Sequence, residues 1–160
     1  MSFIMINTLF KALLLSLCFS LSAIAEEIGS VSTKFHLLTP NDKIFVEVFD
    51  DPRISGVSCY ISSARRGGVL GTLHIKASVA NASISCHKFG KVSLPDDIIS
   101  GKSDGEEVFK KRLSLLFKTL QVVRFYDKKR NVLIYLTYSD KIIEGSPKNS
   151  ISVVSLETFK

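Results

Sequence analysis

The chain lacks the short motifs of the commonest catalytic and nucleotide-binding sites. It has no G-x-S-x-G sequence, which places the nucleophile of many serine hydrolases on a sharp turn between a strand and a helix. It also has neither glycine-rich phosphate-binding pattern, although Gly67, Gly68 and Gly71 lie close together. Because glycine accepts positive φ, we interpret this glycine group as a loop or tight turn.

Side chains that hold metals or act as bases are also scarce, with three cysteines and three histidines in the chain. Cys59, His74, Cys86 and His87 follow no C-x-x-C or H-x-x-x-H spacing. Neighbours in a strand point to opposite faces, so Cys86 and His87 would not easily share one ion. We therefore expect no metal and no cofactor. A hydrolase using His36, His74 or His87 in an unrecognised site is kept as an alternative function.

Long apolar runs are missing outside the N-terminus. The longest, Ala12–Ser22, has 11 residues and follows Lys11, whereas a membrane-spanning helix needs about 20. An A-x-A cleavage pattern, Ala23-Ile24-Ala25, follows it directly. The sequence therefore predicts a cleaved signal peptide over 1–25 and a single mature domain over 26–160, with no transmembrane segment.

The composition of the predicted mature chain agrees with export. Removing the signal removes Cys18 and leaves Cys59 and Cys86, and an even number of cysteines in an exported protein usually means a disulfide. The 135 mature residues include 20 basic and 15 acidic side chains, a net charge of +5. This mild excess permits contact with anionic envelope polymers. No nucleic-acid partner is expected, since exported proteins rarely meet nucleic acid.

Two clusters concentrate the positive charge, Lys110-Lys111-Arg112 and Lys128-Lys129-Arg130. The second falls at the tip of a predicted hairpin. The simpler interpretation is solvation, because charge at edges and tips keeps strands from pairing with other chains. The alternative is that these six side chains contact an anion, which would make the chain a polyanion-binding envelope protein. Such binding would weaken steeply with salt.

Alternation of apolar and polar residues predicts strands through most of the mature chain. Pro95 and the acidic residues after it suit the first turn of a short helix, which Gly101 would end. A helix over Phe109–Leu120 competes with the strand interpretation there. The expected fold is mainly β, an antiparallel sandwich or partly open barrel with one or two short helices and one disulfide. The predicted strands are Glu26–Phe35, Lys43–Phe49, Val57–Ser62, Ser83–Lys88, Glu107–Leu113, Leu115–Tyr126, Val132–Tyr138 and Ile151–Val154.

Several runs resemble, in order, the CreA family of bacterial periplasmic proteins. They are EEIGSVSTKF, KIFVEVFDDP, VSCYISSARRGG, ASISCHKFG and the long run from Glu107 to Ser152. The resemblance implies a periplasmic location and a shared cysteine pair, and it carries over no reaction, ligand or catalytic residue. The preferred function is therefore non-enzymatic binding in the cell envelope, with another protein or a small molecule as partner.

Overall fold

A computed structural model describes residues 23–65, 67, 82–113, 119–139 and 148–157. These residues form eight strands and one short helix, so the mainly β prediction is confirmed. The elements are β1 (Glu26–Lys34), β2 (Asp42–Asp50), β3 (Val57–Arg65), β4 (Ala82–Lys88), α1 (Asp96–Ile99), β5 (Glu106–Arg112), β6 (Thr119–Asp127), β7 (Val132–Ser139) and β8 (Asn149–Ser155).

The strands form two four-stranded antiparallel sheets, in the orders β1-β2-β3-β4 and β5-β6-β7-β8. One hydrophobic cluster draws buried side chains from both sheets. Within it the Phe49 and Phe109 rings stack at a centroid distance of 4.5 Å, which joins β2 to β5. Beside β8, the Cys86 N–H donates to Ser152 Oγ at 2.7 Å. The fold is therefore a sandwich and not a closed barrel.

Period-2 patterning decides which side chains enter the core. On β2 the alternating residues Phe45, Glu47 and Phe49 point inward, and Ile44 and Val46 point to solvent. The two phenylalanines on the inward side indicate that it is at least partly covered, in agreement with the structure. On β6 the inward face is that of Leu120, Val122, Arg124 and Tyr126.

The predicted disulfide is present between Cys59 and Cys86. These residues are direct cross-strand partners on β3 and β4, and both are buried. The bond closes a sequence separation of 27 residues, which restricts the unfolded chain and so stabilises the fold.

The two ends of the sandwich differ. One end, called here the turn end, carries the β2–β3 turn (51–56), α1 with the turn after it (96–105) and the β6–β7 turn (128–131). The opposite end, called the loop end, carries the β1–β2 loop (35–41), the last residues of β3 and β5, and the first residue of β4.

The alternative prediction of a helix over Phe109–Leu120 is wrong for the part of this stretch that the structure describes. Phe109–Arg112 lie in β5 and Thr119–Leu120 lie in β6, paired with each other in antiparallel register. Residues 114–118 of that stretch lie outside the described ranges. The short helix at Pro95 is confirmed as α1. None of the helices in the described ranges has the length and apolar character needed to cross a bilayer.

Candidate functional site

The most concentrated polar chemistry is an ion pair inside the turn end. Arg124, on the inward face of β6, places Nη1 2.6 Å from Asp51 Oδ1 and 2.7 Å from Asp51 Oδ2. The two side chains are 1% and 0% exposed. Tyr135 on β7 donates its hydroxyl to Asp51 Oδ2 at 2.8 Å. Burial first, and the charge of Asp51 second, raise the pKa of Tyr135 far above its ordinary value, so the hydroxyl keeps its proton.

The hydrogen-bonding capacity of Asp51 is fully used within the fold. Besides Arg124 and Tyr135, it accepts the backbone N–H groups of Arg53 at 2.9 Å and Ile54 at 3.0 Å. Two carboxylate oxygens offer about four lone-pair sites, and five donor contacts occupy them. No acceptor is left to take a proton from a substrate. The pair therefore fixes the β2–β3 turn against the second sheet and is not a general base.

Alternating charges continue this network to the surface. Arg124 Nη2 donates to Glu106, whose carboxylate also accepts Arg53 Nη1 at 3.0 and 3.1 Å. Arg53 Nη2 reaches both oxygens of Asp97 at 2.7 and 2.8 Å. The Ser103 hydroxyl, followed by Arg53, lowers the pKa of Asp97 to about 2. The chain of contacts joins the β2–β3 turn, β5, β6 and α1.

The sequence patterns did not predict this network, although one feature of β6 indicates a buried charge. Arg124 shares the inward face of β6 with Leu120, Val122 and Tyr126, and a charged residue on a core face requires a buried partner. The pattern could not say that the partner is Asp51, because 73 residues separate the two.

The described histidines do not assemble a hydrolase site. His36 Nε2 lies 3.1 Å from Asp42 Oδ1 in the β1–β2 loop. His87 Nε2 lies 2.9 Å from Ser85 Oγ on the exposed face of β4. The second spacing suits a base and a nucleophile, but no carboxylate contacts the His87 ring among the described residues. His74 lies outside the described ranges. In the described ranges, no three His, Cys, Asp or Glu side chains come together to hold a metal.

The structure places the two basic clusters at opposite ends of the second sheet. Lys110, Lys111 and Arg112 finish β5 at the loop end, and Lys128, Lys129 and Arg130 form the turn after β6. Six to eight steps along β6, from the partners of Lys110 and Arg112 to Asp127, separate them by roughly 20–26 Å, given about 3.3 Å per residue. The clusters therefore do not form a single patch, and their role as anion contacts stays a prediction.

The clusters also differ in how many of their basic side chains form ion pairs within the protein. Lys111 Nζ donates to the buried Glu47, Lys110 pairs with Glu107 at 3.0 Å, and Arg130 pairs with Asp127 at 2.6 Å. Lys128 and Lys129 are exposed and have no ion pair in the described part of the chain.

The outward face of the second sheet is apolar. Direct cross-strand partners form two adjacent rows across β6, β7 and β8. Ile151 and Val153 at the β8 side are 61% and 53% exposed. We call these six residues the apolar block: Val123, Leu136 and Ile151 in one row, and Phe125, Ile134 and Val153 in the other. Val123 is buried, and Phe125, Ile134 and Leu136 are partly buried, so the β8 side of the block is its solvated part. A solvated face of an antiparallel sheet is normally polar, and the exposed Ile151 and Val153 depart from that pattern.

Three buried hydroxyls, those of Ser63, Thr137 and Ser139, have no hydrogen-bond partner in the described part of the chain. Thr137 and Ser139 share the inward face of β7, and Ser63 faces inward from β3. An unpaired buried hydroxyl costs roughly 1–3 kcal/mol. These hydroxyls therefore mark polar positions in the core toward the loop end.

Comparison with known proteins assigns the family. The family model described as CreA protein matches residues 28–159. The chain is 55% identical over 154 residues to Protein CreA of Escherichia coli (strain K12), covering 94% of this chain and 98% of that protein. Protein CreA of Escherichia coli O6:H1 matches with the same identity and coverage. No solved structure matches. The chain belongs to the CreA family.

Proposed function

We propose that this protein is exported to the periplasm and acts there, without catalysis, by binding another protein. Export is supported by the signal-peptide pattern ending at Ala25 and by the Cys59–Cys86 disulfide, since disulfides form and persist in oxidising compartments. Binding is supported by one observation above all, the apolar block on the outward face of the second sheet.

The sequence of β7 shows why the block suggests an interface. Its outward positions are Val132, Ile134, Leu136 and Tyr138, and its inward positions include Leu133 and Tyr135. A strand that is apolar on both faces is typical of a sheet covered on both sides. Ile151 and Val153 on the neighbouring β8 remain more than half exposed. A partner that covered this face would remove their side chains from water.

The shape and charge of the block favour a protein over a small ligand. A sheet face is broad and open, whereas small-molecule sites are concave and enclose most of the ligand. The six side chains of the block carry no charge. The ion pair of Glu107 with Lys110 lies on β5, the strand that borders the block next to β6. Uncharged apolar centres with polar margins are common in protein interfaces. The proposed partner is thus a polypeptide with an apolar face of its own.

Crosslinking in living cells tests this proposal. A photo-reactive amino acid at Ile151 or Val153 should capture a defined protein in the envelope. The same group at Ser83, exposed on the outward face of the first sheet, is the matched control and should not. Replacing Ile151 and Val153 together by serine should weaken the interaction roughly tenfold or more, because two half-exposed aliphatic side chains lose their burial.

The outcomes separate the alternatives. A product containing two copies of this chain would identify the partner as a second copy. Equal labelling from Ser83, or no protein product from either block position, would refute binding through this face. Export is tested independently by the intact mass of the cell-derived protein, which should correspond to 26–160.

A further inference from the structure

The loop between β1 and β2 exposes three large apolar side chains that the protein-binding proposal does not use. Phe35, Leu37 and Leu38 are 75%, 86% and 92% exposed. They lie within four consecutive positions at the loop end of the sandwich, interrupted only by His36. We call these three residues the apolar tip.

Hydrogen bonds hold the loop in this form. The His36 N–H donates to Asn41 Oδ1 at 2.8 Å, and the His36 ring contacts Asp42 Oδ1 at 3.1 Å. The Gly67 N–H also donates to Asp42 Oδ1, at 2.7 Å. The side chain that points back into the protein is therefore the polar one, His36, and the apolar tip is directed away from the core.

Positive charge lies at the base of the tip. Lys34 ends β1 and Lys43 lies at the start of β2, so one lysine stands on either side of the loop. Lys34 is the cross-strand partner of Asp42 and interacts with its charge without a close ion pair, and Lys43 has no ion pair in the described part of the chain. Arg65 is the cross-strand partner of Lys43, and its guanidinium lies 4.5 Å from the centre of the Phe45 ring. Asp42, the first residue of β2, contacts the His36 ring and accepts the Gly67 N–H through its carboxylate.

A lipid bilayer matches this combination better than a protein partner does. A specific protein interface uses about 20–30 residues on each side, and a narrow hairpin loop with three apolar side chains offers far fewer. Binding at the interface of a bilayer depends instead on buried apolar area together with attraction of basic side chains to anionic lipids. We propose that the apolar tip inserts into the outer part of an anionic bilayer, with Lys34 and Lys43 against the lipid headgroups.

The absence of tryptophan gives a clean test of this proposal. Leu38→Trp gives the protein a single tryptophan. The variant is expressed in cells as the full chain and isolated from them. With vesicles containing phosphatidylglycerol, its emission should shift to shorter wavelength and be quenched by bromine-labelled acyl chains. The matched control is Phe89→Trp, because Phe89 is 57% exposed at the opposite, turn end. That reporter should remain unquenched.

Variants without the reporter separate the apolar and the charge contributions in vesicle sedimentation. Leu37→Ser with Leu38→Ser should lower the partition coefficient roughly tenfold or more. Lys34→Ala and Lys43→Ala should each lower it about fivefold. Added salt should weaken binding to the anionic vesicles, and binding to vesicles of pure phosphatidylcholine should be weaker as well.

Three results would overturn the proposal: equal quenching at positions 38 and 89, unchanged partitioning of the double serine variant, or equal binding to neutral and anionic vesicles. Capture of a protein and not of lipid by a photo-reactive group at Leu38 in intact envelopes would also overturn it. None of these results depends on the apolar block, so the two proposals fail separately.

Discussion

Arg124 and Asp51 meet in the core through one guanidinium nitrogen that lies 2.6 and 2.7 Å from the two carboxylate oxygens. They come from β6 and from the turn after β2, so the contact joins the two sheets. Both charges are shielded from solvent. Removing one partner of such a pair leaves an uncompensated buried charge, which is more costly than removing both.

Asp51→Asn should therefore lower the free energy of unfolding by roughly 3–5 kcal/mol. Asparagine retains an oxygen for the N–H groups of Arg53 and Ile54. It loses the charge, and it replaces the oxygen that accepts from Arg124 and Tyr135 with an NH2 donor. Adding Arg124→Met should recover part of the loss, because the double variant buries no unpaired charge. Urea unfolding of the single and double variants measures this coupling. A single-variant loss below about 1 kcal/mol would contradict the structural role assigned to the pair.

The Cys59–Cys86 bond should account for a comparable share of stability. In the chain-entropy model, closing a loop of this length contributes roughly 3.5 kcal/mol. Replacing both cysteines by alanine should reduce the free energy of unfolding by about that amount. Wild-type protein held reduced throughout unfolding is the control and should show a similar loss. Two alkylatable thiols in the untreated protein would show that the bond does not form in cells.

The alternation of side chains predicted the strands well, because burial on one side of a sheet enforces period 2. On β2 the side of Phe45 and Phe49 is covered as those residues indicate, whereas on β6 both faces carry apolar residues, so the pattern does not say which face is inward. The pairing of Arg124 with Asp51 could not be predicted, since a local pattern contains no information about contacts between distant strands.

The apolar block shows a different limit of sequence interpretation. The run from Val132 to Tyr138 is apolar at nearly every position, so it identifies a strand but not which face meets the core. The helix alternative over Phe109–Leu120 has a similar origin. Leu113, Leu116, Phe117 and Leu120 fit the helical period, and the same stretch also fits the alternation of a strand. Only the pairing of β5 with β6 decides between them in the described residues.

Thr137→Val tests whether the buried hydroxyl of Thr137 is unpaired in solution. Valine has nearly the same shape, so the change removes the hydroxyl and little packing. If no partner is present, the free energy of unfolding should stay the same or rise by up to about 1 kcal/mol. Val122→Thr made in the Thr137→Val protein is the reverse control, because it adds a buried hydroxyl opposite an apolar partner and should destabilise the fold. A loss of more than about 1 kcal/mol in Thr137→Val would show that the hydroxyl has a bound partner.

Asp97 should make stability depend on pH in acid. Its pKa in the folded protein is about 2, below the ordinary value of 3.8, because Ser103 and Arg53 stabilise the charged form. The stabilisation is complete above the unfolded-state value near 4 and is lost as pH falls through about 2. Asp97→Asn should therefore lower the melting temperature near pH 5 and converge with wild type near pH 2. A difference in melting temperature that is equal at both pH values would contradict this assignment.

The separation of the basic clusters makes a specific prediction for polyanion binding. Lys128 and Lys129 are exposed and unpaired in the described part of the chain, whereas Lys110 and Lys111 contact Glu107 and Glu47. Lys128→Ala with Lys129→Ala should therefore lower the salt concentration needed for elution from a polyanion column more than Lys110→Ala does. The effects of the two changes should be additive, because their separation of about 20 Å exceeds the screening length of about 10 Å at 0.1 M salt. Arg130→Ala should also weaken retention. It removes one positive charge and leaves the negative charge of Asp127 without its partner. Retention that is unchanged when Lys128 and Lys129 are replaced would leave these lysines as solvated turn residues, which is the simpler interpretation of their sequence.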